Sequence, residues 1–130
     1  MSKSVEKFDI EKNTWFKIDD MNQKRKGCSV VCMQDGLYVL GGYGGCQYLK
    51  SVEKYDLSNR KWRYVEDMNY PRCFASSVSS FDFQYIYTIG GYDGKPLSSI
   101  ERYDVLSGRW DALKKMISPR YRHQSLFLNE

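Results

Sequence analysis

The side chains of this 130-residue chain that could bind a metal or attack a substrate are few: one histidine, His123, and four cysteines, Cys28, Cys32, Cys46 and Cys73. A copper centre draws on His and Tyr ligands, and a zinc centre on clustered thiolates and imidazoles. Cys28 and Cys32 stand four residues apart. On a strand they share a face yet lie more than about 12 Å apart, too far to share a zinc ion. The cysteines are read as packing residues and His123 as structural. Carboxylates are plentiful, but Glu53 and Glu101, like Asp56 and Asp104, occupy matching places in a repeated unit. A catalytic acid breaks such symmetry. Asp56 and Asp104 are expected to accept hydrogen bonds from the turns that follow them. The chain has no nucleophile elbow, phosphate-cradling loop or metal motif, and Gly44-Gly45 and Asp93-Gly94 follow strands without opening a helix. No catalytic residue, cofactor or metal is expected, and the chain is read as a non-enzyme.

The elements that hold these residues follow from the repeat. Val5-Glu6-Lys7-Phe8-Asp9 recurs as Val52-Glu53-Lys54-Tyr55-Asp56 and as Ile100-Glu101-Arg102-Tyr103-Asp104, at offsets of 47 and 48 residues. In the same phase fall Trp15, Trp62 and Trp110, then Met21, Met68 and Met116, then Arg25, Arg72 and Arg120. A glycine pair after an apolar run appears as Gly41-Gly42 and again as Gly90-Gly91. The spacing between anchors drifts where Asp82-Phe83-Gln84 is inserted, as expected of a loop between packed units. Each period predicts four short strands. The first covers 28–33, 75–80 and 123–128, and the second is the run into the glycine pair. The third is the Val-Glu-Lys-Tyr-Asp segment, and the fourth carries the Trp. No segment has a helical period. The aromatic share of 15%, with 11 Tyr, favours the pleated surface of a sheet.

Four strands, a glycine pair, a Tyr and a Trp in about 47 residues resemble the kelch repeat, and the resemblance covers essentially the whole chain. A WD-repeat propeller would have a shorter period and a Gly-His near each start, and the single Trp110-Asp111 pair stands in the kelch Trp position. The resemblance implies an all-β, kelch-type β-propeller fragment. Its expected parts are repeat 1 at 4–50, repeat 2 at 51–98 and a partial repeat 3 at 99–130, with whole four-stranded blades at about 28–66 and 75–114 and partial blades at both ends. It implies radial packing, in which Gly41, Gly42, Gly90 and Gly91 admit a neighbouring strand while Tyr55, Trp62, Tyr103 and Trp110 fill the space between blades. Arg25, Arg72 and Arg120, present in every copy, are read as structural donors. A propeller ring uses roughly four to eight blades. The sequence therefore reads as part of a longer propeller or as a chain that assembles with others, and self-association through exposed strand edges is expected.

Charge and composition narrow the partner. Lys and Arg (20) exceed Asp and Glu (16) by a net +4, spread along the chain without a basic stripe, so nucleic acid is not an expected partner. No apolar run approaches the roughly 18 residues of a membrane span, and the start of the chain lacks a secretory pattern. A cytoplasmic protein with reduced thiols is expected. What remains is the side of the blades from which the loops between second and third strands emerge with those entering the next first strand. The first set offers Tyr43, Cys46, Gln47, Tyr48, Tyr92, Asp93 and Lys95, and the second Tyr70, Arg72, Tyr121 and Arg122. Tyr and Arg suit binding hot spots. In kelch proteins that capture acidic peptides, an arginine two places after the Pro-Arg pair reaches the binding face. Only Arg122 of Pro119-Arg120-Tyr121-Arg122 matches; Gly27 and Phe74 hold that place in the other copies. The resemblance implies a protein-interaction module, of the kind found in adaptors for cullin-type ubiquitin ligases or in cytoskeletal binders. An enzyme of kelch architecture such as a copper oxidase, or a nonfunctional truncated product, is the alternative.

Overall fold

The computed structural model describes residues 1–128, which form ten short strands and no helix, hence none long and apolar enough to cross a membrane. A hairpin comes first, from β1 (Val5–Asp9) and β2 (Thr14–Ile18). One antiparallel sheet follows, in the order β3 (Ser29–Met33), β4 (Gly36–Leu40), β5 (Val52–Asp56) and β6 (Lys61–Val65). A second has β7 (Ser76–Ser79), β8 (Tyr85–Ile89), β9 (Ile100–Asp104) and β10 (Arg109–Leu113). Both are meanders of the kelch-blade kind, and the sheets do not close into a ring among the described residues. They approach through their first strands, where Ser29 Oγ and Ser77 Oγ lie 2.6 Å apart.

The repeated motif residues build the hairpins. Phe8 stands opposite Trp15, Tyr55 opposite Trp62 and Tyr103 opposite Trp110. Each turn is held by the aspartate that ends the third strand. Asp56 Oδ1 accepts from the Ser58 amide at 2.9 Å and its hydroxyl at 2.6 Å, and Asp104 Oδ1 accepts from the Leu106 amide at 2.9 Å. The last loop residue takes a left-handed backbone in all three hairpins, at Asn13 (φ 50°), Arg60 (φ 60°) and Gly108 (φ 69°).

Alternate residues of each strand face opposite neighbours. Val31, Met33, Tyr38, Leu40 and Val52 form one apolar layer with Met68, Ile86 and Tyr103 between the two sheets. Tyr55, Trp62 and Val39 face the other way, onto Met21, Val5 and Ile18 of the hairpin side. The connectors between units complete these layers. Arg72 donates through Nη1 to the Gly90 carbonyl at 2.5 Å and through Nη2 to Glu101 Oε2 at 2.7 Å, with both side chains buried. Glu101 also takes the Asn69 amide at 2.7 Å. Arg25 repeats this with Gly41 and Glu53, its Nε and Nη2 reaching Glu53 Oε1 at 3.1 and 2.9 Å. The same connector grips the sheet behind it, since the Gly42 amide donates to the Arg72 carbonyl at 2.9 Å. A Cβ on Gly41 would fall against that carbonyl oxygen, well inside contact distance, which is why the pair must start with glycine.

Three expectations are corrected. Residues 123–128 form no strand: no strand runs beside them among the described residues to pair their backbone, and Phe127 instead lies against Tyr87, with ring centroids 6.1 Å apart. Arg120 is exposed, and its side chain has no hydrogen-bond partner among the described residues; its backbone alone keeps the repeated role, the carbonyl accepting from the Gly91 amide at 2.9 Å and the amide donating to the Leu97 carbonyl at 3.0 Å, as the Arg72 amide does to Leu49. Of the cysteines, Cys73 is buried and Cys28 half-buried, but Cys32 and Cys46 are exposed and do not pack; all four are free thiols. Cys32 alternates with buried Val31 and Met33 on β3, and Cys46 tips a loop.

Candidate partner-binding face

Strand alternation sends the β4–β5 and β8–β9 loops, and the connectors into β7 and beyond β10, to one side of the molecule. The glycine pair turns the chain there, and the residue after it is a tyrosine in both sheets. Tyr43 pairs with Lys26 and with Tyr48; Tyr92 pairs with Cys73 and with Pro96. The second loop is one residue shorter, so Pro96 holds the place of Tyr48. The result is a row of rings that crosses from one blade to the next: Tyr43 to Tyr48 at 5.4 Å, Tyr48 to Tyr92 at 5.8 Å and Tyr92 to Tyr121 at 5.3 Å between centroids. The first two contacts are edge-on and the third tilted, the arrangements aromatic quadrupoles favour. Desolvation within the row, helped by the neighbouring Tyr92 hydroxyl, raises the Tyr48 pKa above the ordinary phenol value, so its OH stays a donor.

Cations flank the row. Lys26 Nζ sits 5.1 Å from the Tyr43 ring, and the Arg122 guanidinium 4.6 Å from the Phe74 ring and 5.9 Å from that of Tyr121. A backbone feature common to the three copies places Arg122. Gly27, Phe74 and Arg122 all have left-handed φ, at 62°, 52° and 54°. The Phe74 amide donates to the Gly27 carbonyl at 2.7 Å, and the Arg122 amide to the Phe74 carbonyl at 2.8 Å. The three side-chain positions are thereby stacked, with the Phe74 ring over Gly27 so closely that a Cβ there would lie 2.6 Å from it.

The remaining sequence-predicted residues line two depressions formed by the same loops. Tyr70, Asp93 and Lys95 meet Pro96, Ser99 and Leu113 around a hollow of about 380 Å³. Gln47 and Tyr48 meet Gln23, Lys50 and Pro71 around one of about 450 Å³. The two hollows are related by the repeat and each holds a Tyr, an Asp and a Lys, but only the first adds side-chain amides, from Gln23 and Gln47. Cys46 is exposed at its loop tip, apart from the ring row. Sequence reasoning missed Lys26 as part of the face and treated Phe74 only as a departure from an arginine pattern. The signal for Phe74 was there, since its place is glycine in the copy before. His123 is half-buried beside Gly90, with neither ring nitrogen hydrogen-bonded, and burial holds its pKa below the ordinary imidazole value. No three His, Cys, Asp or Glu side chains gather as a metal-ligand set among the described residues.

Successive four-stranded antiparallel meanders, joined by buried Arg–Glu connectors and stacked through Tyr–Trp layers, define an array of β-propeller-type blades. A family model described as Kelch motif matches residues 24–69 and 84–117, more than half of the chain, and the chain belongs to the kelch-repeat family. Among curated proteins it is similar to Kelch-like protein 25 of Rattus norvegicus, 47% identical over 47 residues, a match covering 36% of this chain and 8% of that protein. Kelch-like protein 25 of Homo sapiens is 45% identical, and that of Xenopus tropicalis 43%, over the same shares. The matched segment thus spans under a tenth of those relatives. Membership of this family marks the chain as a protein-interaction module.

Proposed function

We propose that the loop face carrying Tyr43, Tyr48, Tyr92, Tyr121 and Arg122 is the surface on which this module holds its protein partner. The observation that carries this is the continuous ring row across two blades, in which the repeated Tyr43 and Tyr92 are joined by Tyr48 and Tyr121, which do not repeat. Tyr and Arg supply area and donors at low entropic cost, and the flanking hollows accept side chains of the bound segment. The repeated carboxylates Glu53 and Glu101 are consumed by Arg25 and Arg72, and Asp56 and Asp104 by their turns. Those roles support a binding reading over a catalytic one. By resemblance to kelch adaptors, the partner is a substrate presented to a cullin-type ubiquitin ligase or a cytoskeletal protein, met in the cytoplasm.

The test uses a photo-crosslinking residue at Gln47 on this face, or at Leu106 in the β9–β10 turn on the opposite side. Partner capture through Gln47 and not Leu106 is expected. With that partner, Tyr92→Ala should weaken binding about thirtyfold, the scale of a hot-spot truncation. Exposed Tyr64, on the outer strand β6, should tolerate alanine. Capture through Leu106 alone would overturn the assignment.

A further inference from the structure

The ring row presents many hydrogen-bond donors, while the backbone beneath it has little left to accept with. Tyr38, in the layer between the sheets, spends its hydroxyl on Asp35 at 3.1 Å. The hydroxyls of Tyr43, Tyr48, Tyr92 and Tyr121 have no such partner among the described residues, although each ring is engaged by its neighbours. Lys26, Lys95 and Arg122 stand beside them, exposed and able only to donate, against the carboxylate of Asp93.

The carbonyls under the row are already taken. Lys26 and Tyr43 exchange both of their backbone bonds, at 3.1 and 2.8 Å, and so do Cys73 and Tyr92, at 2.9 and 2.8 Å. The Gln47 carbonyl accepts from the Gly44 amide at 2.9 Å, the Lys95 carbonyl from the Asp93 amide at 3.2 Å, and the Phe74 carbonyl from the Arg122 amide at 2.8 Å. The loop backbone closes on itself and leaves no strand edge open beside the row.

This imbalance selects the backbone of whatever lies along the rings. A β-strand brings an amide for every carbonyl, and those amides would find few acceptors here. A helix has its carbonyls bonded internally, so it would bury the tyrosine hydroxyls unmet. In polyproline II the carbonyls are free to accept, and proline has no N–H to satisfy. Proline-rich segments of this kind dock on aromatic grooves. The spacing agrees as well. Tyr43 and Tyr92 are two steps of the row apart, 5.4 and 5.8 Å, with Tyr48 edge-on between them. One three-residue turn of polyproline II advances roughly 9 Å, within that separation.

We propose, resting on the assignment of this loop face as the partner surface, that the segment held there is proline-rich and bound as polyproline II. Prolines three residues apart seat against Tyr43 and Tyr92, with Tyr48 between them. The carbonyls of the segment accept from the tyrosine hydroxyls, Lys26 and Arg122. The hollow of about 450 Å³ beside Tyr48, with Gln23 and Gln47 in its wall, takes a side chain from between the prolines, and the glutamine amides answer the N–H of that residue.

The test is selection of phage-displayed random peptides on the immobilised full chain, followed by fluorescence anisotropy with the recovered peptides. They should carry prolines three residues apart, and replacing those prolines by alanine should weaken binding about tenfold or more, because the chain is no longer held extended beforehand. Tyr48→Phe and Tyr92→Phe keep the rings and remove the donors, and each should weaken binding about fivefold. Circular dichroism should be the same for both variants as for wild type. Peptides that lack proline yet lose binding in Tyr92→Ala would keep the face as the binding surface and overturn its polyproline II occupant. Peptides that bind Tyr92→Ala as tightly as wild type would overturn the face itself. Phenylalanine variants that bind like wild type, or a library that yields no peptide, would also overturn the occupant.

Discussion

Arg72 and Arg120 occupy the same place in successive repeats, but only Arg72 has a glutamate-bearing sheet to enter, and their replacement separates the buried lock from the bare side chain. In Arg72→Met the guanidinium's bonds to the Gly90 carbonyl (2.5 Å), the Ser99 carbonyl (3.2 Å), Ser99 Oγ (3.1 Å) and Glu101 (2.7 Å) all disappear. Glu101 stays fully buried with only the Asn69 and Tyr70 amides to answer its charge. Removing one partner of a buried pair costs about 3–5 kcal/mol. Arg72 Nε has no acceptor even in the intact lock, which places the expected loss near 3 kcal/mol, the lower end of that range. Arg120→Met, at an exposed position, should cost under about 0.5 kcal/mol. Urea unfolding followed by tryptophan fluorescence reads both, because Trp62 and Trp110 sit in the junction layers. The double variant Arg72→Met with Glu101→Leu should recover at least about half of the loss, as apolar replacements of buried ion pairs do. If Arg72→Met falls within about 1 kcal/mol of wild type, or Arg120→Met costs as much, the arginine is not what binds the units together.

The glycine pair and the turns give further tests. Gly41→Ala drives a Cβ into the Arg72 carbonyl at φ 61° and should cost about 2–4 kcal/mol in urea unfolding, whereas Gly90→Ala, facing the exposed Arg120 connector, should cost about half as much. Arg60→Gly relieves a left-handed residue in the β5–β6 turn and should raise stability by about 0.5–1 kcal/mol, read as a higher urea midpoint; the Asp56 carbonyl still receives the residue 60 amide. The Ser58 hydroxyl and amide hold the Asp56 carboxyl below the ordinary range, and the Ser107 and Leu106 amides do so for Asp104. A carboxyl whose folded pKa is depressed contributes fully above its unfolded value near 4 and loses that contribution as pH falls through the folded value. The urea midpoint of wild type should therefore fall more steeply below about pH 4 than that of Asp56→Asn/Asp104→Asn, and equal slopes would remove the turns from the acid response. Phe74→Gly should raise the urea midpoint by about 1 kcal/mol of stability while weakening partner binding, because it removes both a left-handed strain and the platform under Arg122.

The repeat made most of the fold legible. Val-Glu-Lys-Tyr-Asp and the phased Trp residues gave the third and fourth strands, since a cross-strand Tyr–Trp pair needs those types at that separation. The glycine pair marked the close approach that the Arg72 carbonyl makes on Gly41. Three things were hidden because they depend on what lies next to a residue rather than on the residue. The 123–128 segment has the composition of β3 and β7 but no neighbouring strand, and strand geometry is a property of pairs. The role of Arg25 and Arg72 was inferred from recurrence alone, but its chemistry, a buried pair with the equally recurrent Glu53 and Glu101, required the connector and the third strand to be seen together. The ring row was likewise legible as separate tyrosines and not as a row. Tyr48 reaches Tyr92 only because the two sheets meet through their first strands.

Recurrence and exception divide this chain along a physical line. Where the copies agree, the residue in the two four-stranded sheets satisfies a buried or backbone demand: the Asp of the turn, the Glu of the lock, the Trp of the layer. At the position of Gly27, Phe74 and Arg122 the backbone demand is the same in every copy, a left-handed residue whose amide in the later two copies reaches the carbonyl of the copy before. Glycine meets that demand without steric cost, while Phe and Arg each incur about 1–2 kcal/mol to do so. Strain of this kind persists where a side chain is needed at a fixed place. Here the two costly residues stack on each other at 4.6 Å and Arg122 continues onto Tyr121, the end of the ring row. Backbone strain and the row of tyrosines are separate observations, yet they converge on one side of the blades. That convergence, more than the abundance of tyrosine, singles out the loop face as the surface shaped for a partner.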